Sequence, residues 1–336
     1  MSKRVTIEDV AKEAGVSMMT VSRESNDKDG ISEETKLKVI EIVEQVGYQP
    51  SGLARALVTN RSCSLGLIMP DVANPFFSQI ARGAEDVAYD SGYNVFLVNT
   101  NEDIKREEVA LNSLLEKQVD GAIIASSRLP QKRLLTYLEK FNFTVLINRT
   151  LDNFTGNTAA SINVDDGLGA RLAIEYFANQ GLTRIAHLSG PKSSTSGGLR
   201  LNGYRQGLET FGIPIQDELI MPCRPDTRGG YEATKTLLLK HDNISAILAY
   251  NDLVATGALQ ACEKLGYHVP VDISIIGVDD IPLATLISPK LSTLHISKRG
   301  LGQDAMRTLI ALIQSDPGVE REQIIHPTLI LRETTE

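Results

Sequence analysis

The sequence has no tryptophan and only three cysteines, Cys63, Cys223 and Cys262, in 336 residues. Their odd number, wide spacing and lack of a Cys-x-x-Cys pair exclude a disulfide framework and a cysteine-based zinc site, and point to a reducing, cytoplasmic setting. Long hydrophobic runs are also missing. No stretch reaches the roughly 18 consecutive apolar residues that a spanning helix needs, and charged residues interrupt the N-terminus before a signal-peptide core can form. Nor is there an excess of positive charge: 34 Lys plus Arg stand against 42 Asp plus Glu, a formal charge of −8. That excludes a protein that coats nucleic acid or acidic lipid nonspecifically. The five histidines (His187, His241, His268, His295 and His326) show no HxxxH or HExxH spacing, and no Gly-x-Ser-x-Gly elbow occurs. An enzyme, a metal site and a cofactor are therefore not expected. What remains is an ordinary globular composition, 42% apolar and 23% charged, sufficient for two cores and a small additional module.

The first 60 residues carry only helical periodicity. Ile7, Val10, Ala11 and Ala14 make one face of a two-turn helix that Gly15 stops. Ser17 can cap a second helix beginning at Met18. Ser32, followed by Glu33 and Glu34, caps a third that runs through Leu37, Ile40, Val43 and Val46 to Gly47. Three short helices, the first two separated by Gly15-Val16-Ser17, read as a helix-turn-helix. From Cys63 the period changes. Apolar runs at 64–69, 94–99, 121–125, 144–147, 184–188, 246–249 and 274–278 alternate with helical stretches near 75–90, 104–117, 166–180, 199–211, 228–240 and 252–265. Such alternation predicts an α/β body with parallel sheets covered on both faces. Its length, and the turn-rich stretch from Thr150 to Thr158, predict two similar halves.

The segment VTIEDVAKEAGVSMMTVSR, followed by GISEETKLKVIEIVEQVGYQPSGLARAL, resembles the headpiece and hinge of the LacI/GalR family of bacterial transcriptional regulators. The resemblance runs over nearly the whole chain. It implies a helix-turn-helix headpiece (1–48), a hinge (49–61), and an effector-binding and dimerisation domain (62–336) of two doubly wound parallel-sheet subdomains of periplasmic-binding-protein type. The first would comprise about 62–160 plus 291–320, the second about 161–290 plus 321–336, with chain crossings near 160, 290 and 320. Closure of these subdomains on a ligand would change the spacing of the hinge helices in the dimer.

In physical terms the second helix lies in a major groove. Ser17, Thr20 and Ser22 are available to phosphates, with Thr6 in the same DNA-binding set, and Met18, Met19 and Arg23 are near base edges. Arg23 can bind guanine bidentately, worth about 1–3 kcal/mol of discrimination, whereas the methionines offer apolar contact. In the hinge the resemblance makes Leu57 a wedge into a central base step and lays Ala54 and Arg55 along the minor groove. One departure stands out: where the family has two aliphatic residues before Asn26, this chain has Glu24 and Ser25. Ser25 forgoes apolar burial on the order of 1–3 kcal/mol, and Glu24 puts a negative charge near phosphates. The double change Glu24→Val with Ser25→Ile is therefore expected to raise both headpiece melting temperature and operator affinity. Unchanged values at fixed salt would refute that expectation.

In the body, residues at strand C-termini face the ligand crevice of a doubly wound sheet. Phe76 and Phe77 follow the first strand, and the resemblance places both beside an effector. It assigns Asp165, Arg200, Asn251 and Asp279 to the same ligand, with Ser126 and Arg149 as further candidates; Asp166, Asp252 and Asp280 read as helix caps. Carboxylates converging with an Arg suit vicinal hydroxyls, so a sugar or sugar derivative is favoured. Gly300-Leu301-Gly302-Gln303-Asp304-Ala305 satisfies GxGxxA, but too few residues follow for a dinucleotide domain. The sequence as a whole predicts a cytoplasmic, ligand-responsive repressor that binds palindromic double-stranded DNA as a homodimer. The alternative is a periplasmic-type sugar-binding protein without DNA function. Through residue 61 the chain holds nine basic and ten acidic residues, a net charge of about −1. DNA contact must then come from a few placed groups rather than a basic surface.

Overall fold

The structure, a computed structural model, describes residues 5–24, 30–48, 61–150 and 158–335. It forms two compact units, one ending at Cys63 and the other beginning at Ser64. The first consists of α1 (Ile7–Ala14), α2 (Met18–Glu24) and α3 (Glu33–Val46). Gly15 joins α1 to α2 at φ 65°, a left-handed conformation that glycine adopts without a Cβ clash. Val10, Ala11, Ala14, Val21 and Val39 form the buried core. Here the sequence reading of α3 needs correction: Leu37 is 65% exposed. The inward stripe is Val39, Ile42, Val43 and Val46, spaced i, i+3, i+4, i+7, and Leu37 falls about 160° away from Val39 around the helix.

The second unit opens with β1 (Ser64–Met69), α4 (Pro75–Asp90), β2 (Asn94–Asn99), α5 (Ile104–Glu116) and β3 (Gly121–Ala125). It continues with α6 (Gln131–Leu138), β4 (Thr144–Ile147), β5 (Ala159–Val164), α7 (Asp166–Asn179) and β6 (Ile185–Leu188). Next come α8 (Thr195–Thr210), β7 (Ile220–Met221), α9 (Thr227–Lys240), β8 (Ala246–Ala249), α10 (Asp252–Leu265) and β9 (Ser274–Asp279). The last elements are α11 (Leu283–Leu286), β10 (Ser292–His295), α12 (Lys298–Ile313), β11 (Glu322–Ile325) and β12 (Thr328–Ile330).

Among the described residues these strands make two six-stranded sheets, ordered β11-β5-β4-β3-β1-β2 and β12-β10-β9-β8-β6-β7. All pairings in the first sheet are parallel. In the second, β12 runs antiparallel to β10, a departure from the purely parallel sheet expected. The chain passes between sheets after Val164, after His295 and after Ile325, a few residues beyond each expected crossing. β2 departs as well. It is an edge strand, and Phe96 and Leu97 are 41% and 46% exposed rather than covered. No helix among the described residues is long and apolar enough to cross a membrane.

The helices pack unusually close where glycines face backbone. A Cβ at Gly83 of α4 would lie 2.0 Å from the Arg299 carbonyl oxygen, and one at Gly302 of α12 would lie 2.0 Å from that of Ile80. Gly230 and Gly257 do the same for α9 and α10. Such distances admit no side chain without displacing a helix. The GxGxxA pattern is thus helix-packing chemistry that opens α12, with no phosphate loop involved.

Candidate functional site

In the first unit, the Thr6 side chain is used locally. Its hydroxyl donates to Asp9 Oδ2 at 2.7 Å and accepts from the Asp9 amide at 3.3 Å, closing a capping box on α1. Ser17 Oγ accepts from the Thr20 amide at 3.1 Å and shares a hydrogen bond with Thr20 Oγ1 at 3.0 Å. Val21 points into the core, so the opposite face of α2 is free for contact. Met18 and Met19 are 53% and 66% exposed; Arg23 is exposed, and Ser22 and Thr20 are half-buried. Ser25, Ala54, Arg55 and Leu57 lie outside the described residues.

In the second unit, a small pocket lies where the two sheets meet at the crossings. Val164, Leu294, Ile296 and Pro327, all at or beside crossings, line its apolar side, and Phe76 enters from the start of α4. Asn74 caps α4 by accepting from the Phe76 amide at 3.0 Å, which fixes that entry. Phe77 meets Phe76 edge to face at 5.0 Å. It packs in the core and does not line the cavity.

The polar side is built around Arg200, only 6% exposed. Its Nε donates to Asp166 Oδ1 at 2.8 Å and its Nη1 to the Tyr250 carbonyl at 2.5 Å. Nη2 lies 2.7 Å from Asp166 Oδ1 and 3.9 Å from Asp279 Oδ1. Burial opposes the guanidinium charge, but Asp166 and Asp279 more than offset this and hold Arg200 protonated. For Asp279 burial dominates: despite Arg200, its carboxyl is pushed up to about 7.

The geometry of Asp279 is itself held. Asp279 and Asp280 have φ values of 107° and 52°, conformations unfavourable for residues with a Cβ. Four neighbours stabilise this turn. Lys298, at the start of α12, donates from Nζ to the carbonyls of Asp279 and Asp280 at 2.5 and 2.8 Å. Asp252 accepts from the Ile281 amide at 2.8 Å and the Thr293 hydroxyl at 2.6 Å. Arg332 and His295 bind the Asp280 carboxylate at 2.7 and 2.8 Å. Burial, followed by the charge of Asp279, raises the Asp252 carboxyl well above its ordinary range.

Of the expected effector residues, Phe76, Arg200 and Asp279 line the cavity. Asp165 does not: its Oδ1 caps α7 by accepting from the Leu168 amide at 2.8 Å. Its neighbour Asp166, read as a cap, is the one that turns inward. Asn251 is likewise absorbed, capping α10 through the Val254 amide at 2.9 Å while its Nδ2 donates to the Pro225 carbonyl at 3.3 Å. Ser126 is buried at φ 48° outside the lining. Arg149 spans the gap between subdomains instead, donating to Thr195 Oγ1 at 2.6 Å and to the Leu129 carbonyl at 2.7 Å. Sequence reasoning missed Asn148, which lines the cavity and accepts from the Val164 amide at 3.1 Å. Its place directly after β4 was the available signal.

Residues 6–51 match the family described as bacterial regulatory proteins, lacI family, and residues 174–335 match a periplasmic binding protein-like domain. A ribose operon repressor from Halalkalibacterium halodurans is 36% identical over 98% of this chain and 97% of its own length. Among solved structures, the lac repressor dimer bound to operator and the anti-inducer ONPF superposes with TM-score 0.88 at 29% identity, covering 99% of both chains. A LacI family regulator from Enterococcus faecium with bound ribose gives TM-score 0.72 at 27% identity, over 81% of this chain and 98% of that one.

Proposed function

The chain belongs to the LacI/GalR family of bacterial transcriptional regulators, and we propose that it is a repressor whose operator affinity is set by a monosaccharide bound between its two sheets. The observation that carries the effector class is the buried trio Asp166, Arg200 and Asp279, set against the apolar wall of Val164, Leu294 and Ile296. Alternating acceptors and donors suit the hydroxyls of one sugar ring, and the apolar wall suits its C–H faces. The name of the relative from Halalkalibacterium halodurans and the ribose in the Enterococcus faecium structure make ribose the first candidate. We read the cleft as a binding site without turnover, and the DNA-reading set as Met18, Met19 and Arg23, supported by their exposure opposite a closed core.

Two copies acting together fit the exposed edge of β2. Phe96 and Leu97 present apolar surface on a strand with one unpaired side, the kind of edge that a second copy covers.

The test is fluorescence anisotropy with a palindromic duplex selected from random sequence. Affinity is expected to fall with salt, because each phosphate neutralised on binding releases counterions and adds about 0.9 to the logarithmic slope, and to change when ribose is added. Absence of binding to any duplex, with the sugar still bound, would favour a sugar-binding protein without DNA function.

A further inference from the structure

The pocket beside Arg200 has room for about one water and not for a sugar ring. Its walls do not give way side chain by side chain. On the first subdomain Phe76 is fixed by the Asn74 cap and by Phe77. On the second, Arg200 is tied to Asp166 and to the Tyr250 carbonyl. Room for a ring must therefore come from parting the subdomains, a hinge motion about the chain crossings.

One contact stands in the way of that motion. Arg149 follows Asn148, which lines the pocket, and its guanidinium is stretched between the subdomains. Nη2 donates to the Leu129 carbonyl at 2.7 Å, and Nη1 to Thr195 Oγ1 at 2.6 Å. Leu129 is buried in the first subdomain's core, so that end stays behind when the walls part. Thr195 is the first residue of α8, the helix that carries Arg200, so the other end holds the polar wall itself. Position adds leverage. β6, which leads into α8, stands three strands from β10, where the chain crosses, roughly 14 Å away at ordinary strand spacing. A rotation of about 5° over that arm moves Thr195 by about 1 Å, enough to break a hydrogen bond. Lys298, by contrast, holds the Asp279 and Asp280 carbonyls from just past the His295 crossing, where the same rotation moves little.

We propose that Arg149 is a strap that competes with the effector: its bond to Thr195 holds the cleft too narrow for a sugar ring and must break before the ring can enter. The inference rests on the reading of this cleft as the effector site. It also sets the sign of the effect at Arg149. Removing a residue that touches the sugar weakens binding, whereas removing a strap strengthens it, because the fraction of molecules able to accept ligand rises.

The test uses the full chain, with calorimetric titration of ribose and with hydrogen exchange measured without any sugar. Arg149→Ala and Thr195→Val are each expected to tighten ribose binding about three- to tenfold. The double variant should gain no more than either single one, since both remove the same contact. Thr195→Ser keeps the hydroxyl and should keep wild-type affinity. Thr195→Val nearly preserves side-chain shape, so it carries the test if Arg149→Ala fails to fold. Without sugar, amides at 164–169 and 278–282, around the pocket, should exchange faster in both single variants than in wild type. Weaker ribose binding in Arg149→Ala, additive effects of the two substitutions, or unchanged exchange overturns the strap. If ribose binds neither wild type nor any variant, exchange alone decides: faster exchange in both variants keeps the strap and discards only ribose, and unchanged exchange overturns it.

Discussion

An Arg200→Ala protein is expected to show no effector-induced thermal shift, a melting temperature lowered on the order of 10 °C, and effector-free operator affinity close to wild type. Removing one partner of a buried ion pair costs about 3–5 kcal/mol, because the remaining charge stays desolvated and unpaired. Here two carboxylates are left, Asp166 at 3% and Asp279 at 6% exposure. For a unit of this size each kcal/mol shifts the midpoint by roughly 2–4 °C. Arg200→Lys should not restore the response, since an ammonium cannot reproduce the planar fork that reaches Asp166, the Tyr250 carbonyl and Asp279 together. The control is Arg205→Ala. Arg205 pairs with Asp217 at 2.7 Å on the surface, where its side chain is 44% exposed, and such a pair contributes about 0–1 kcal/mol. A full effector response in Arg200→Ala would remove Arg200 from the site.

The second large effect is on pH dependence and depends on Asp279. Its carboxyl is pushed up to about 7 in the folded protein by burial, against roughly 3.9 in an unfolded chain. Between those values the native state holds a proton that the unfolded state has released. Stability from this group is therefore fully present below about pH 4, falls by up to about 1.4 kcal/mol per pH unit toward pH 7, and is level above it. A sugar hydroxyl that donates to Asp279 binds the carboxylate, so effector affinity should run the opposite way. It should rise by up to about tenfold per unit as pH climbs toward 7 and then flatten. Asp279→Asn removes the titration, and both profiles should lose these slopes relative to wild type. Equilibrium binding and denaturant melts from pH 5 to 8.5 measure this; superimposable wild-type and variant profiles would show that Asp279 does not titrate in this range.

The strands that carry the site were legible because they are continuous apolar runs, and seven of them could be placed from the sequence. Among the other five, β7, β11 and β12 are only two to four residues long, with β11 beginning at an exposed charged residue. Within the site, the sequence identifies the end of a strand but not which of two adjacent polar residues turns inward. At Asp165-Asp166 the first caps and the second binds Arg200. At Asp279-Asp280 the first faces the cavity and the second is held by Arg332 and His295. The choice depends on backbone dihedrals and on partners more than 30 residues away, such as Arg200 for Asp166. Asn251 shows the same ambiguity: its side chain caps α10 through the Val254 amide and lies outside the pocket lining. Leu37 shows the equivalent limit in the helical unit, where two apolar faces compete and tertiary packing selects Val39.

The three crossings also set the order in which the protein can form during synthesis. Residues up to 48 make a closed core that needs nothing downstream. The first sheet, by contrast, must wait for β11 at Glu322–Ile325, and the second for β12 and the Thr334 hydroxyl that donates to the Ile275 carbonyl at 2.7 Å. Neither can close while the ribosome is still translating most of the chain, at about 5–20 residues per second. A nascent chain thus presents the helix-turn-helix well before the proposed effector site can form. Any truncated product ending before β11 would keep that helix and lack the means to be switched.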